Sequence, residues 1–518
     1  MDSAVVTLLD SAAGDPSRPL LLTEGRTLSC GRFAERAGGL AADLRAAGVG
    51  RGDRVATLID DYDGFFIAMF AVWLAGGVVV PLNTSLPAAD VDWLLDKARP
   101  RLLLVAADAA GDRRGVPCLR VAAEGPADVR ASVGGAGGGA AGQAGAAPAA
   151  EPGPATATAA ARLAPTAPDE LAMIMFTSGT TGVPKGVCHT MRAVSGNAGR
   201  VAAVLGLTAA DRIFINTPPY FTSGVCHFLT LLAAGGSTVG RRGFFFGDGL
   251  LAEMAALGCT GFGGAPAHLV RVVGPLEQPP SASGLRFWVS SGDHLAPDTI
   301  ERVGRLLPAV RLYNMYGLTE VGGRLCVLPP DELARRRGSV GRPLPGMTVT
   351  VRDPDGEALP DGAEGELYVD GPLLMQGYLD EPDITAATLT AHGLRTGDFG
   401  RRDADGFVWV AGRRDDIIKR GGEKVSIVHI QEALRTLGRF ADVAVIAVDD
   451  AILGHVPVAF VVAADGQPVK RTAVMRELRA VLPSTSLPSR IVPLAEIPRT
   501  GSGKAIRAEL LRLAAGDA

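Results

Sequence analysis

The sequence predicts an α/β protein with a large N-terminal domain of parallel-rich sheets and flanking helices, followed by a small C-terminal α+β domain. Three observations carry this. Residues 20–110 alternate helix-like and strand-like runs. At 518 residues the chain exceeds one compact core, so two or more domains are expected. After Gly412 the pattern changes to short valine-rich runs and a helical run, in a stretch the size of an independent small domain. The expected division is 1–411 and 412–518.

The elements follow in order. GRFAERAGGLAADLRAAG reads as a helix and DRVATLI as a strand. GFFIAMFAVWLAGGVVVPL, residues 64–82, has the length of a membrane span. Gly76, Gly77 and Pro81 break it, so it is read as a buried helix, a turn at the glycine pair and a short strand at Val78–Val80. PRLLLVA is the next strand. This βαβ rhythm implies a parallel sheet with helices on both faces. From about residue 131 to 168 the chain turns to Ala, Gly and Pro, which have little to pack, and is expected to be a mobile surface loop. The rhythm resumes at LAMIMF, which favours an insertion over a linker. DRIFIN, GLRFWVS, TVTVRD and GELYVD are further strands. Val443–Val448 and Val458–Val462 read as strands, and Val474–Val481 as a helix.

Composition narrows the function. Hydrophobic residues make up 47% and charged residues 20%, which is globular and far from disordered. A net charge of −4 argues against a nucleic-acid or anionic-membrane footprint. The six cysteines (30, 118, 188, 226, 259 and 326) lie far apart, with no Cys-x-x-Cys or Cys/His ligand spacing. A reduced, cytoplasmic compartment is expected. The first residues, MDSAVVTLLDSAAGDP, have no positive segment and do not read as a secretory signal. Of 51 basic residues only six are lysine, at 97, 185, 419, 424, 470 and 504. Where arginine serves for most positive charge, a retained lysine marks a place that needs a compact ammonium on a flexible stem.

FTSGTTGVPKGV, residues 176–187, follows an apolar strand directly. Its glycines let backbone amides approach a ligand closely. Consecutive amides form an anion nest, the Ser and Thr hydroxyls donate to phosphate oxygens, and Lys185 supplies a point charge. At the carboxyl edge of a parallel sheet this is a triphosphate cradle. It is not a Walker A loop, which needs Gly-x-x-x-x-Gly-Lys-Ser/Thr, and neither is GSGK at 501–504, where Ala follows the lysine.

TSGTTGVPKGV resembles the signature loop of the adenylate-forming superfamily: acyl- and aryl-CoA synthetases, peptide-synthetase adenylation domains and luciferases. YGLTE at 316–320, TGD at 396–398, GRRDDIIKRGGEKVS at 412–426 and PRTGSGK at 498–504 agree with it, in the family's order. The likeness spans the chain apart from the Ala/Gly tract. It implies an acid–thiol ligase that uses ATP and Mg²⁺: a carboxylate attacks the α-phosphorus of ATP, giving an acyl-adenylate and pyrophosphate, and a thiol then takes the acyl group. The thiol is expected to be CoA, with no nucleic-acid partner and no membrane span.

By this resemblance Thr177, Ser178, Gly179, Thr180, Thr181, Gly182 and Lys185 hold the β- and γ-phosphates. Tyr316 with Gly317 takes adenine, with Asn314 near its amino group, and Asp398 and Arg413 hold the ribose. Thr319 touches the α-phosphate, and Glu320 is the magnesium carboxylate. Lys504 bridges the carboxylate and the α-phosphate, acting on charge that develops during transfer. Asp415 is the hinge about which the small domain turns, and Gly421, Gly422 and Lys424 face the thiol. His189 matches a common family histidine with a structural role.

The acid pocket is expected between residues 216 and 326, with Phe221, Gly264, Asp293 and His294 as its candidates. In NTPPYFTSG the family histidine is missing, and Phe221 takes the gating aromatic position. In SSGDHLAP the pair Asp293–His294 stands where small residues are usual, and a carboxylate there would suit an amino or hydroxyl group on the substrate. His429 and Gln431 replace residues that are usually acidic. The alternatives are a stand-alone adenylation enzyme loading a carrier protein, since no carrier domain follows before Ala518, or a variant joining an oxyanion such as nitrite to an amine. A luciferase-like oxidase and a non-catalytic nucleotide-binding paralogue complete the set.

Overall fold

The structure, a computed structural model, describes residues 3–23, 25–106, 116–121, 131–132, 165–177, 184–241, 249–274, 276–278, 284–293, 295–413, 417–420, 423–450, 452–464, 466–499 and 505–516. Among the described residues the strands form three sheets, of fourteen, eight and five strands.

The largest sheet changes character halfway. Arg311–Tyr316, Phe287–Ser291, Gly261–Gly264, Arg212–Ile215, Ser237–Gly240 and Pro19–Thr23 lie side by side and all parallel. Parallel neighbours need crossovers, and helices supply them: Thr222–Ala234, Pro266–Val273 and Pro297–Leu306 each lie between two of these strands in sequence. Beyond Arg311–Tyr316 the sheet becomes antiparallel, through Cys326–Leu328, Ser339–Pro343, Val408–Arg413, Gly393–Arg402, Glu364–Asp370 and Thr348–Arg352. The period of two sorts the parallel strands between two cores. Ile213, Ile215, Phe287, Val289, Tyr313 and Met315 face the main core. Phe214, Phe262, Trp288 and Leu312 face a second core under the other face.

In the second sheet Leu171–Thr177, Val78–Pro81, Arg54–Leu58, Leu102–Ala106 and Cys118–Val121 are parallel neighbours. The apolar stretch is a helix, Tyr62–Leu74, with all thirteen residues buried. Asp61 caps it, accepting from the Gly64 N–H at 2.6 Å. Gly76, at φ 84°, ends it, a conformation in which glycine avoids the Cβ strain of other residues. Among the described residues no helix is long and apolar enough to cross a membrane. Phe66 on this helix stacks on Phe228 of Thr222–Ala234, with centroids 3.9 Å apart, which ties the helices of the two large sheets together. Strands before and after the Ala/Gly tract belong to this one sheet. The near end of the tract, Ala131–Ser132, pairs with Cys118–Val121. At its far end Thr166 is buried and donates to the Gly77 carbonyl at 3.0 Å. Both ends are therefore anchored, and the expected loop boundaries of 131 and 168 are too wide. Residues 133–164 lie outside the described residues.

The third sheet holds Glu423–Ser426, Ile417–Arg420, Gly454–Ala463, Phe440–Asp450 and Arg490–Pro493. With helices Ile427–Thr436 and Arg471–Leu478 it encloses its own core around Ile430, Leu434, Val443, Val461 and Leu478. The six cysteines are free and buried. Burial raises the thiols of Cys30, Cys188 (to about 11), Cys226, Cys259 (to about 12) and Cys326.

Candidate active site

Leu171–Thr177 runs parallel to Val78–Pro81 but antiparallel to Lys185–Thr190, with Thr177 opposite Lys185. Thr177 and Lys185, which flank the hydroxyl–glycine run in sequence, thus face each other at the carboxyl end of the Leu171–Thr177 strand. Ser178, Gly179, Thr180, Thr181 and Gly182 lie outside the described residues. A third strand, Gly377–Tyr378, pairs with Lys185–Thr190 and sets Tyr378 opposite Val187. The Lys185 ammonium lies 5.4 Å from the Tyr378 ring centroid. The Tyr378 hydroxyl donates to Glu320 Oε1 at 2.8 Å. Tyr378 therefore stands between two residues that the motifs name, although nothing in its own segment, GPLLMQGYLDEPD, marks it.

Glu320 belongs to a loop that closes a hairpin. Tyr316 faces Cys326 across the antiparallel pair, and the Leu325 N–H donates to the Tyr316 carbonyl at 2.9 Å. Thr319–Val321 makes one 3₁₀ turn, and Gly322 and Gly323 follow at φ 75° and 102°. Gly317 is indispensable by close approach: a Cβ there would lie 2.1 Å from the Gly323 carbonyl oxygen. Outside groups hold the loop. His189 Nε2 donates to the Thr319 carbonyl at 2.6 Å. Asn197 Nδ2 donates to the carbonyls of Val321 and Arg324, at 3.1 and 2.7 Å. The Met375 N–H donates to the Glu320 carbonyl at 2.8 Å. Burial pushes the His189 pKa down, so the ring is neutral, and its carbonyl partner fixes the proton on Nε2.

The adenosine candidates also meet. The Tyr316 hydroxyl donates to Asp398 Oδ2. Asp398 is buried, its N–H donates to Thr396 Oγ1 at 3.0 Å, and it pairs directly with Arg413 across the two strands. Asn314 Nδ2 donates to the Ser339 carbonyl at 3.3 Å. Two motifs 82 residues apart thus share one contact.

Of the acid-pocket candidates, Phe221 is half-buried at the start of helix Thr222–Ala234. Gly264 ends a strand whose neighbouring space is filled, since a Cβ there would lie 2.6 Å from His268 Nδ1. His268 Nδ1 accepts the Ala265 N–H at 3.2 Å, and burial, with Arg271 nearby, pushes its pKa down to about 4. Asp293 is exposed and lies 3.8 Å from Arg435 on the Ile427–Thr436 helix of the small C-terminal unit. Gln431, on the same helix, accepts the Val445 N–H at 3.1 Å. His294, Asp415, Gly421, Gly422 and Lys504 lie outside the described residues; the backbone of Lys424 pairs with Lys419.

The same region holds a buried pair that has no acidic partner among the described residues. Arg324 ends the Glu320 loop, and His227 lies on helix Thr222–Ala234; they are 6% and 5% exposed. Arg324 Nη2 approaches His227 Nε2 at 3.4 Å, and Nη1 donates to the Gly323 carbonyl at 3.0 Å. Burial, then the charge of Arg324, drives the His227 pKa well below its ordinary value.

Among the described residues no three His, Cys, Asp or Glu side chains cluster as a metal site. Glu320 nevertheless fits Mg²⁺, which is held by one or two carboxylates together with substrate phosphates and waters. Its Oε1 is oriented by Tyr378, and its Oε2 makes no hydrogen bond among the described residues.

Known proteins share this chain's sequence and fold. Residues 8–379 match the family model of the AMP-binding enzymes, and residues 429–504 match that of the AMP-binding enzyme C-terminal domain. The chain is 33% identical to the sulfoacetate–CoA ligase of Cupriavidus necator over 517 residues, covering 98% of this chain and 97% of the relative. It is 30% identical to the fatty acid–[acyl-carrier-protein] ligase ScoC of Streptomyces coeruleorubidus over 518 residues, covering 98% and 96%. The crystal structure of ATP-bound MatB from Rhodopseudomonas palustris superposes with a TM-score of 0.82 at 25% identity, covering 99% of each chain. The chain belongs to the AMP-binding enzyme family, the adenylate-forming superfamily, and is an AMP-forming acid–thiol ligase.

Proposed function

We propose that this protein activates a carboxylic acid with ATP and passes the acyl group to the thiol of coenzyme A. The observation that carries the reading is the convergence of the motif residues. Tyr316 contacts Asp398, which pairs with Arg413, while Tyr378 joins Lys185 to Glu320. Tyr316 and Asn314 hold adenine, Asp398 and Arg413 the ribose, and Lys185 the outer phosphates. Glu320 would hold Mg²⁺, which offsets phosphate charge when bound. The residues themselves align the reactants and stabilise spreading charge. Thr319 stands beside Glu320 in the same 3₁₀ turn, where it meets the α-phosphate.

Within this reading the division lies at 411/412, with Asp415 as hinge. Lys504 enters for adenylation, and Gly421, Gly422 and Lys424 turn to the thiol afterwards. Coenzyme A is the preferred acceptor, as in the sulfoacetate relative; the carrier-protein relative makes a carrier phosphopantetheine the second. The test is acid-dependent ATP–pyrophosphate exchange followed by thioester formation. Lys504→Ala is expected to lose about 10²–10³-fold in exchange. Full exchange in that variant, or thioester formed on a carrier protein and never on coenzyme A, contradicts the respective half of the reading.

A further inference from the structure

The buried guanidinium of Arg324 has no acidic partner among the described residues. It carries five N–H donors. One meets the adjacent Gly323 carbonyl, and one meets His227 at a long 3.4 Å. His227 cannot supply a negative charge, because a neutral imidazole is its most basic form here. Burial opposes the charged form of Arg324, and the nearby Cys226 thiol, whose own pKa burial raises, supplies no charge to offset that. An ion held this way is costly unless something else completes its shell.

The backbone around Arg324 shows which elements surround it. A Cβ on Gly323 would come within 2.7 Å of both Thr222 and Cys226, in the first turns of the helix that Phe221 begins. The Cys226 thiol donates to the Gly322 carbonyl at 3.1 Å. A Cβ on Gly263 would come within 2.6 Å of the His227 ring, which therefore fills the space over that strand. A Cβ on Gly317 would come within 2.8 Å of the Arg324 Cα, so Arg324 begins beside the residue that follows Tyr316. One loop thus carries Thr319 and Glu320 toward the nucleotide, and Arg324 toward the helix that opens at Phe221.

We propose that Arg324, backed by His227, is a specificity-determining residue that binds a second anionic group on the acid, so that the preferred substrate carries a carboxylate or sulfonate besides the carboxylate that is adenylated. This rests on the ligase reading above and names its substrate class. A planar guanidinium presents paired donors that match either anion. A mono-acid would leave those donors unpaired, and a site built to pair a polar group discriminates strongly against an analogue that lacks it.

The test is ATP–pyrophosphate exchange by the full chain with matched acids. Malonate, succinate, glutarate and a sulfonated acetate are set against acetate, propionate, butyrate and valerate. At least one dianionic acid is expected to exceed its mono-anionic match by about 10²-fold or more in kcat/KM. Arg324→Met is expected to bring that ratio to about one, and Arg324→Lys to restore part of it. The ratio is read within each variant, so a loss of folded protein does not move it. Should Arg324→Met not fold, the wild type alone decides: the dianionic acid, and not its match, raises the melting temperature in the presence of ATP. A wild type that prefers mono-acids, or an Arg324→Met variant with an unchanged ratio, overturns the inference and leaves the ligase reading standing. Exchange with no acid at all overturns both.

Discussion

The Tyr378 hydroxyl donates to Glu320 Oε1 at 2.8 Å while the Lys185 ammonium lies 5.4 Å from the centroid of the same ring. One side chain thereby touches both the carboxylate proposed to hold Mg²⁺ and the lysine proposed to hold the outer phosphates. Tyr378→Phe keeps the ring and removes the donor. A hydrogen bond to a charged group is worth about 1.5–3 kcal/mol, so a roughly tenfold to hundredfold rise in the Mg²⁺ concentration needed for half-maximal exchange is expected. A magnesium titration of pyrophosphate exchange measures it. An unchanged requirement means that Glu320 is held by the backbone alone.

Gly317→Ala probes the loop itself. The added Cβ would meet the backbone of Gly323 at 2.1 Å, and backbone cannot swing aside as a flexible side chain does. Relief requires displacing the 3₁₀ turn that carries Thr319 and Glu320. A shift of about 1 Å in positioning residues costs on the order of 10²-fold in rate. Overpacking costs about 1–3 kcal/mol of stability, so a folded but impaired protein is expected. Steady-state exchange beside a thermal melt separates the two, and near-normal exchange would refute the rigidity assigned to this loop.

Three buried histidines predict the response to acid. Burial lowers the pKa of His189, His227 and His268 from 6.5, the last to about 4. Above 6.5 these rings are neutral in the folded and unfolded chain, and their contribution to stability is complete. As the pH falls below 6.5 the unfolded chain binds protons that the folded chain excludes. Stability then drops by about 1.4 kcal/mol per pH unit for each fully responding histidine. For His268 the loss continues to near pH 4. Melting temperatures recorded between about pH 7.5 and 5 should fall, and His268→Gln should shallow the slope. A variant with the parent's slope would remove His268 from this account.

The Asp293–Arg435 contact, 3.8 Å long, has Asp293 44% exposed in its side chain. Such a pair is worth about 0–1 kcal/mol. Asp293 also acts on Arg499 electrostatically, holding its pKa up against burial together with Asp442. Both arginines come from the C-terminal part of the chain. Asp293→Asn is expected to leave the melting temperature nearly unchanged while altering the ratio of adenylate formation to thioester formation. Separate single-turnover measurements of the two steps test this; a variant equal to the parent in both makes the contact incidental.

How much of this was legible in the chain differs from residue to residue. The helix of Tyr62–Leu74, its glycine stop and the strand after it could be read locally, because uniform apolarity, a glycine pair and a proline act within a few positions. The motif residues could be read because their spacing is short. Tyr378 could not, since its place depends on pairing with Val187, far away in sequence, and no local pattern carries that register. Arg324 was hidden among many arginines, and only tertiary burial separates it from those that face solvent. Asp293 was expected in the acid pocket from its segment alone; which surface it meets depends on how the C-terminal helix lies, and residue type does not encode that. Gln431 departs from the family's acidic pattern and acquires a reason only when the Val445 amide it accepts from is seen.

The burial of every native thiol has a practical consequence. Because these sulfurs are buried, maleimide dyes should ignore the unmodified protein. Cysteines introduced on the surface, one in each unit, would then be the sole attachment points for a donor and acceptor fluorophore. Energy transfer between them would report in real time whether the proposed swing between the two half-reactions takes place, on a polypeptide otherwise unchanged.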